Sequence, residues 1–327
     1  SFRQCFILTC PKIVAIGGGT GISTMLRGLK SYTSNITAVI TVADDGGGSG
    51  ALRNDLGMLP PGDIRNCLLA LAETEPVMEK LLAYRFKEGS LKGQSFGNLF
   101  LAAMNGIYDS FEQAVKHMAE VLAVTGAVYP VTEDNIFLVA ELEDGTQIRG
   151  ESRIGGHHLT HPGRIKRIML DKPDAKPLGQ ALEAIYDADA IVLGPGSLYT
   201  SIIPNLLVNG VARAVYEAKA PKVYVCNIMT QPGETENYTA ADHIEAINEH
   251  AGEPLVDICL VNSGKIKPSI LKKYQNDGAG QVMIDISKIR RMGVRIIERD
   301  LVKISNDLVR HDSDKLARAV IDICRAG

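Results

Sequence analysis

Short apolar runs alternate with longer stretches of helical periodicity in the first part of the chain. The runs "KIVAI" and "ITAVITV" are rich in β-branched residues, whereas "STMLRGLKSY" and "DIRNCLLALAE" repeat their apolar residues at helical spacing. This β-α-β-α order is typical of parallel strands whose helices cover the faces of a sheet. A glycine-rich turn follows each of the two strands.

Two segments interrupt the alternation. Residues 76 to 126 have helical periodicity and few strand signals, which predicts a helical insertion. Residues 127 to 155 alternate around Asp144-Gly145, which predicts a small antiparallel β-hairpin insert. The α/β pattern then resumes, and "ADAIVLGPGS", "PKVYVCNIMT", "EPLVDICLVN" and "GQVMIDI" are the strands predicted in that part of the chain.

The pattern therefore predicts an α/β fold with three layers, α/β/α, around a mainly parallel sheet. Residues 12 to 324 are predicted to form a single domain that contains both inserts, and a chain of 327 residues is long enough for a large core. Residues 1 to 11 are interpreted as an N-terminal extension, either a processed end or one introduced with the expressed chain.

Composition and charge exclude several classes of partner. The net charge of -3 lacks the basic excess that binding to nucleic acid requires, and no apolar run approaches the length of a membrane span. The six cysteines show no metal-binding or redox spacing. We therefore expect these cysteines to behave as small buried hydrophobic residues in a protein of the reducing cytosol. The sequence thus favours a cytoplasmic protein.

The first glycine turn, "AIGGGTGIS", ends a strand and opens a helix, where free backbone amides favour an anion. Ile22 stands where the dinucleotide fingerprint needs its third glycine, and the Gly-Lys pair of a P-loop is missing. The turn is therefore compatible with a phosphate without matching a known nucleotide motif. A tight strand-to-helix crossover is the structural alternative.

The second turn, "VADDGGGSG", combines an acidic pair with four glycines, which implies unusual backbone angles or a close approach to the backbone. Asp44 and Asp45 could accept a ribose hydroxyl at the end of the second strand. They could instead hold a divalent cation such as Mg²⁺ that bridges phosphates, or one of them could cap the next turn.

Three further turns carry polar residues after predicted strands or before predicted helices. In "PPGDIRNC", Asp63 is placed as the N-cap of a helix and Arg65 and Asn66 add donors. The other two turns supply Gly194, Pro195, Gly196, Ser197 and Thr200, and then Asn227, Thr230, Gln231 and Gly233. Because ligands bind at the carboxyl ends of parallel strands, we expect these turns to line one crevice for a ligand with two phosphates and a sugar.

The stretch "GGHHLTH" is a weaker candidate. Its histidines His157, His158 and His161 have a spacing that could bind a metal, but no carboxylate or cysteine nearby completes a coordination set. Solvated loop histidines are the favoured interpretation.

Four long motifs together resemble the gluconeogenesis factor family, within the superfamily of 2-phospho-L-lactate transferase. They are "IGGGTGISTMLRGLK", "ITVADDGGGSGALRNDLGMLPPGDIRNCLLALA", "GPGSLYTSIIPNLL" and "MTQPGETENYTAADHIEAI". The resemblance covers residues 12 to 324 in the expected order. It implies a Rossmann-like fold in a cytoplasmic bacterial protein that is needed for cell shape and growth on gluconeogenic carbon sources.

The resemblance also implies a ligand, a UDP-sugar of the UDP-N-acetylglucosamine type, bound without established turnover. It places Tyr274 and Arg310 in the nucleotide-sugar site and points to Ser313 as a regulatory phospho-acceptor, although capping of the last helix by Asp312 or Ser313 is the plainer interpretation. Its implied partners are an enzyme of cell-wall precursor synthesis, a Ser/Thr kinase and further copies of the chain.

The predicted ligand-binding set joins the residues of the turns to those implied by the resemblance. It comprises Gly18, Gly19, Thr20, Gly21, Asp44, Asp45, Gly46, Gly47, Ser49, Arg53, Gly62, Asp63, Gly194, Pro195, Gly196, Ser197, Thr200, Asn227, Thr230, Gln231, Tyr274 and Arg310. One departure from the family pattern matters, because Gly48 and Ala51 replace a serine and an arginine of the acidic glycine loop. Ser49 and Arg53 are left to contact phosphate.

Three functions remain open at this point. The first is a nucleotide-sugar-binding regulator of cell-wall precursor flow, and the second is a transferase that moves a phospho-organic group from a nucleotide diphosphate. The third, a Rossmann oxidoreductase, is disfavoured by Ile22. No spacing indicates a nucleophile with its base, so no catalytic residue is assigned, and any metal is expected at Asp44 and Asp45.

Overall fold

The computed structural model describes residues 10 to 326, and its centre is a sheet of seven parallel strands. The strands in chain order are β1 (Ile13–Gly17), β2 (Ile36–Ile40), β3 (Ala127–Pro130), β4 (Leu138–Leu142), β5 (Gln147–Arg149), β6 (Ile165–Leu170), β7 (Ala190–Leu193), β8 (Lys222–Val225), β9 (Ile258–Asn262), β10 (Arg295–Arg299), β11 (Val302–Ser305) and β12 (Leu308–His311). The order across the central sheet is β10-β9-β8-β7-β1-β2-β3.

Helices cover both faces of this sheet. They are α1 (Gly19–Leu29), α2 (Gly47–Leu56), α3 (Gly62–Leu71), α4 (Pro76–Ala83), α5 (Phe96–Ile107), α6 (Phe111–Val121), α7 (Glu151–Gly155), α8 (Gly179–Tyr186), α9 (Ile203–Leu207), α10 (Val211–Glu217), α11 (Ala240–Ala251), α12 (Pro268–Asn276), α13 (Ile286–Arg291) and α14 (Ser313–Ala326). A 3₁₀ turn at His157–Leu159 and a π-helical turn at Leu198–Ile202 complete the regular structure. The predicted α/β/α architecture is confirmed.

The inner strands are apolar because both faces of the sheet are covered. Every residue of β1, β7 and β9 is buried, which explains their continuous apolar runs. β1 pairs with β2 on one side and with β7 on the other. The chain moves outward through β2 and β3, returns to β7, and moves outward again through β8, β9 and β10. The strand order therefore reverses between β1 and β7.

Both inserts lie in the part of the chain between β2 and β7. Helices α4, α5 and α6 occupy the segment predicted to be a helical insertion, and the Asp144-Gly145 turn joins β4 to β5. The antiparallel part differs from the predicted 127–155 hairpin in two ways. β3 belongs to the parallel sheet, where it pairs with β2, and β6 pairs with β4 as a third antiparallel strand.

One strand prediction was wrong. The stretch "GQVMIDI" forms only isolated bridges, in which Gln281 pairs with Met229 and Met283 with Thr239. The outermost strand is β10 instead, whose sequence "RIIER" lacks an apolar run because it lies at the edge and its two arginines are exposed. A two-stranded hairpin of β11 and β12 follows it.

The described residues also bear on the sequence predictions about membrane spans and about the cysteines. Within residues 10 to 326, no helix is long and apolar enough to cross a membrane. Cys67, Cys226 and Cys259 are buried, Cys324 is half-buried and Cys10 is exposed, and all five are free thiols. Cys5 lies outside the described residues.

Helices α1 and α14 pack against each other through a glycine. A Cβ atom at Gly28 would lie 2.2 Å from the carbonyl oxygen of Ser313 and 2.8 Å from the Cβ of Ala317. The two backbones can approach this closely only because Gly28 has no side chain.

We expect Gly28→Ala to destabilise the protein by about 1–3 kcal/mol, because the new methyl group overpacks this contact. Gly106→Ala is the matched control, since nothing lies within 4 Å of the added atom. The control should be neutral or stabilising by up to about 1 kcal/mol. Thermal unfolding of both variants checks the prediction, and equal melting temperatures would contradict it.

Candidate functional site

The reversal between β1 and β7 places two turns side by side at the carboxyl ends of the strands. A Cβ atom at Gly21 would lie 2.7 Å from the carbonyl oxygen of Pro195 and 3.2 Å from the amide nitrogen of Gly196. Any other residue at position 21 would force these two turns apart. The start of α1 and the turn after β7 therefore form one continuous wall.

A pocket of about 310 Å³ opens at this wall, and we call it the cradle. Its lining residues come from four segments: Thr20, Gly21 and Thr24; Pro195, Gly196 and Ser197; Asn227, Ile228, Met229, Thr230 and Gln231; and Val309, Arg310 and His311. Such a crevice at a topological switch point is where open α/β sheets bind ligands. The cradle brings together nine of the predicted residues from turns that are distant in sequence.

Hydrogen bonds between the turns fix the shape of the cradle. Asn227 Nδ2 donates to the carbonyl oxygen of Gly196 at 2.9 Å, and Ser197 Oγ donates to Gln231 Oε1 at 3.0 Å. The turns that follow β7 and β8 are thereby held together before any ligand binds, which reduces the entropic cost of binding.

The hairpin of β11 and β12 contributes the cationic wall of the cradle. Arg310 is exposed on β12 and lines the pocket, whereas Tyr274 does not line it. The hydroxyl of Tyr274 accepts a hydrogen bond from the amide of Val309 at 2.8 Å, and its ring packs beside Ile228 and Ile270. In this structure Tyr274 supports the strand that carries Arg310.

His311 follows Arg310 and also lines the cradle. Burial lowers the pKa of His311 to about 4, and its Nε2 has no hydrogen-bond partner among the described residues. The imidazole is therefore neutral near pH 7, and Arg310 is the cationic side chain of this wall. Sequence reasoning missed His311 and Thr24, although Thr24 lies one helical turn after Thr20.

The glycine stretch 46 to 50 is the start of α2 and not a loop. Asp44 accepts the amide of Gly46 at 2.8 Å, which is the capping role considered from the sequence. Asp45 accepts the amide of Ser152 at 2.8 Å and so ties this stretch to α7. Ser49 Oγ accepts the amide of Gly62 at 3.1 Å. These contacts are internal to the protein, and none of the predicted residues in this stretch lines the cradle.

The guanidinium group of Arg53 is bonded to other groups of the protein and is not exposed to a ligand. It is buried, with Nε bonded to Asn135 Oδ1 at 2.9 Å and Nη1 bonded to the carbonyl oxygen of Asp44 at 3.2 Å. Its guanidinium also lies 3.7 Å from the centre of the Phe137 ring. The burial that makes this arginine a structural support could not be deduced from its position after the glycines.

Asp63 is not the N-cap that the sequence predicts, because α3 already begins at Gly62 and Pro61 precedes it. The amide of Gly19 donates to the Asp63 carboxylate, which would lie 2.8 Å from a Cβ at Gly18. Burial raises the pKa of Asp63 to about 6. The carboxylate is thus the acceptor for the amide at the start of α1, where a dinucleotide would place its phosphates.

Two glutamates missed from the sequence lie near Asp63 and Asp44. Burial raises the pKa of Glu234 to about 7. Burial, aided by the negative charges of Asp44, Asp63 and Glu234, raises the pKa of Glu151 to about 8. We call the side chains of Asp44, Asp63, Glu151 and Glu234 the carboxylate cluster, because the negative charges of the other three act on Glu151. The sequence contains a hint of Glu234, because this residue lies in the polar loop after β8. It contains no hint that Glu151 belongs to the site.

The geometry gives limited support to the metal sites considered from the sequence, at the acidic pair and at the loop histidines. In the part of the chain that the structure describes, no three His, Cys, Asp or Glu side chains converge closely enough to hold a metal ion. The ring nitrogens of His157 lie 2.7 Å from the carbonyl oxygen of Ile154 and 3.0 Å from that of Gly163. A cation could therefore take only one or two carboxylates here, together with oxygens of a ligand.

With this geometry established, comparison with known proteins places the chain in a family. Residues 13 to 302 match the family model described as "2-phospho-L-lactate transferase CofD". The chain belongs to the CofD family. A curated protein of Clostridium acetobutylicum is 57% identical over 321 residues, covering 98% of this chain and 71% of that protein. The protein named "Gluconeogenesis factor" in Bacillus subtilis is 48% identical over 316 residues, covering 96% and 98%.

A solved structure supports the same conclusion. A crystal structure of a Bacillus halodurans protein superposes with a TM-score of 0.91 at 47% identity, covering 94% of this chain and 98% of that chain. The resemblance inferred from the four motifs is thereby confirmed. Membership of the CofD family accounts for the fold.

Ser313, which the family resemblance points to as a phospho-acceptor, lies at the start of α14. Asp312 is the N-cap, because its Oδ1 accepts the amides of Asp314 and Lys315, each at 3.0 Å. The half-buried hydroxyl of Ser313 donates to the carbonyl oxygen of Thr24 at 2.7 Å. Ser313 therefore connects α14 to the helix that lines the cradle.

We expect Glu151→Gln to stabilise the protein at pH 8 to 9 and to leave its stability unchanged near pH 4. The folded-state pKa of Glu151 lies at about 8, above its ordinary value of 4.5. The folded protein therefore binds an extra proton between these two values, and stability is lost as the pH rises through that window. Glutamine does not ionise and avoids the loss.

Melting temperatures at the two pH values measure this effect. The exposed Glu88 supplies the control, since Glu88→Gln should change the melting temperature little at either pH. A Glu151→Gln variant that matches the wild type at pH 8 to 9 would show that Glu151 ionises freely in the folded protein.

Proposed function

We propose that this protein binds a nucleotide sugar of the UDP-N-acetylglucosamine type in the cradle and regulates the flow of cell-wall precursors during gluconeogenic growth. The observation that carries the proposal is the composition of the cradle, which combines turn amides, hydroxyl groups and Arg310 at the switch point of the sheet. Amides and hydroxyls of the turns after β7 and β8 together with a guanidinium suit a diphosphate. The name of the Bacillus subtilis relative supports the gluconeogenic context.

A dinucleotide fits this arrangement less well. The Asp63 carboxylate takes the amide of Gly19, and its negative charge would repel a phosphate placed there. Ile22 is fully buried in the core and replaces the glycine of the dinucleotide motif. These two observations disfavour an oxidoreductase.

A transferase is the second candidate, and the carboxylate cluster is the feature that favours it. The family model is named after a transferase, and group transfer requires acidic or basic side chains near the bound nucleotide. Regulation remains our proposal, because within the described residues no serine or threonine hydroxyl of the cradle is hydrogen-bonded to Nε2 of His311. The protein partner in this role would be an enzyme that makes a cell-wall precursor.

We further propose that Mg²⁺ accompanies the diphosphate and is held by Asp44 or Asp45 with the phosphate oxygens. Mg²⁺ binds one or two carboxylates together with substrate phosphates more readily than a full protein cage. This preference agrees with the few carboxylates that can converge here. In this role the cation would offset the negative charge of both the ligand and the carboxylate cluster.

UDP-N-acetylglucosamine should raise the melting temperature, whereas NAD should not. A ligand present at about 100 times its dissociation constant adds about 2.7 kcal/mol to the free energy of unfolding. A thermal-shift panel of UDP, UDP-sugars and dinucleotides makes the comparison. Stabilisation by NAD alone would overturn the proposal.

Arg310→Ala should weaken binding of both UDP and UDP-N-acetylglucosamine by about tenfold or more, because a charge-assisted hydrogen bond to the diphosphate is lost. Lys303 is the matched control, since it faces Arg310 across the hairpin and does not line the cradle. Lys303→Ala should bind as the wild type does. Isothermal titration measures both, and equal affinities for the two variants would remove Arg310 from the site.

Replacing Asp44 and Asp45 together with Asn should abolish any dependence of UDP-sugar affinity on Mg²⁺. Asparagine keeps an oxygen that can accept a ribose hydroxyl but loses the charge that holds the cation. Titrations with Mg²⁺ and with a chelator separate the two roles. A wild-type affinity that is the same in both conditions would rule out the cation.

A further inference from the structure

A second pocket lies in the antiparallel insert, between β5 and the turns that follow α7, and we call it the insert pocket. Its volume is about 490 Å³, and nine residues between positions 146 and 161 line it. None of these residues lines the cradle. Pockets that bind small molecules have volumes of about 300 to 1,000 Å³, so the insert pocket is large enough for such a ligand.

The lining of the insert pocket contains basic side chains and no acidic ones. Arg153 and His161 line the pocket, and no Asp or Glu is among the lining residues. The carboxylate of Asp144, at the neighbouring hairpin turn, lies outside the lining and accepts the amide of Thr146 at 2.8 Å. Electrostatics therefore favour an anionic group in this pocket.

Arg153 differs from other arginines of the antiparallel sheet because it forms no ion pair. Arg149 pairs with Asp171 at 2.7 Å, and Arg167 pairs with Glu141 at 2.6 Å. In the part of the chain that the structure describes, no ion pair includes Arg153. Its guanidinium group is thus a cation without a carboxylate partner at the edge of a pocket.

Hydrogen bonds hold the wall of the insert pocket in place. The ring nitrogens of His157, a buried lining residue, lie 2.7 Å from the carbonyl oxygen of Ile154 and 3.0 Å from that of Gly163. The amide of Ser152 donates to Asp45 Oδ1 at 2.8 Å and ties α7 to the start of α2. A wall that is fixed before binding reduces the entropic cost of holding a ligand.

The donors that line the pocket suit a phosphate group. They include the guanidinium of Arg153, the hydroxyl of Ser152 and the side-chain amide of Gln147. A phosphate monoester carries a charge of about -1.5 to -2 at pH 7 and three strong acceptor oxygens, which match three donors of different types. Arginine also binds phosphate with two parallel hydrogen bonds.

The pocket is larger than a phosphate group requires, and further hydroxyl groups line it. Thr146 and Thr160 contribute these hydroxyls, and Ile148 adds an apolar surface. Hydroxyls of a ligand can donate to such groups and accept from them. The lining therefore favours a phosphate that is attached to a polar organic group.

We propose that the insert pocket binds a small phosphorylated metabolite, and that Arg153 is the cationic contact of its phosphate group. This assignment does not depend on the nucleotide sugar, since no residue lines both pockets. The protein then has a second ligand site in addition to the cradle.

Glucose 6-phosphate is the probe, and isothermal titration measures its affinity for the whole chain. Arg153→Ala should weaken binding by about tenfold or more, because a charge-assisted hydrogen bond to the phosphate is lost. Arg164→Ala is the matched control, since Arg164 is an exposed arginine that precedes β6 and does not line the pocket. The control should bind as the wild type does, and glucose, which lacks the phosphate, should not bind.

Both substituted arginines are exposed, so we expect both variants to fold, and thermal unfolding checks this. If glucose 6-phosphate and inorganic phosphate both fail to bind the wild type, the assignment is overturned. Unchanged affinity in Arg153→Ala would also overturn it. Inorganic phosphate should bind more weakly than glucose 6-phosphate, and equal affinities would mean that the pocket holds a free anion rather than a phosphorylated metabolite.

Two further titrations separate this site from the cradle. Arg310→Ala should bind glucose 6-phosphate as the wild type does, and a loss there without a loss in Arg153→Ala would place the probe in the cradle and overturn the assignment. Arg153→Ala should bind UDP-N-acetylglucosamine as the wild type does. A selective loss of that ligand in Arg153→Ala would contradict the proposed function, which places it in the cradle.

Discussion

The close contact between Gly21 and the Pro195-Gly196 peptide is the constraint on which the site depends. It holds the start of α1 against the turn after β7 at the point where the strand order reverses. Because these two turns touch, the hydroxyls and amides that follow them point into a shared space. Hydrogen bonds made by Asn227 and Gln231 then join this wall to the turn that follows β8, the neighbouring strand.

Electrostatics divide this end of the sheet into two regions. The cradle is built from amides, hydroxyls and one guanidinium, whereas three members of the carboxylate cluster, Asp63, Glu151 and Glu234, have pKa values that burial raises. The glycine-rich stretch that suggested a phosphate loop in fact starts α2 and carries Asp44 and Asp45.

Sequence patterns predicted the inner strands and the turns after them, because buried strands must be apolar and tight turns need glycine. They failed for β10, where exposure at the sheet edge allows charged residues, and they wrongly favoured the apolar stretch "GQVMIDI". The roles of Arg53 and Asp63 depend on burial by distant residues. Glu151 joins the carboxylate cluster from an insert, which no local pattern could indicate.

The pairing of β1 with β7 also bears on how the protein is made. Ile13 pairs with Ala190, so the central contact of the sheet closes a very long loop of chain. Contacts of such high sequence separation form slowly, and a chain emerging from the ribosome must wait for β7 before β1 gains its second neighbour. Arg310 is synthesised later still. A segment that follows all seven strands of the central sheet therefore completes the wall of the cradle, and a product terminated before that segment lacks it.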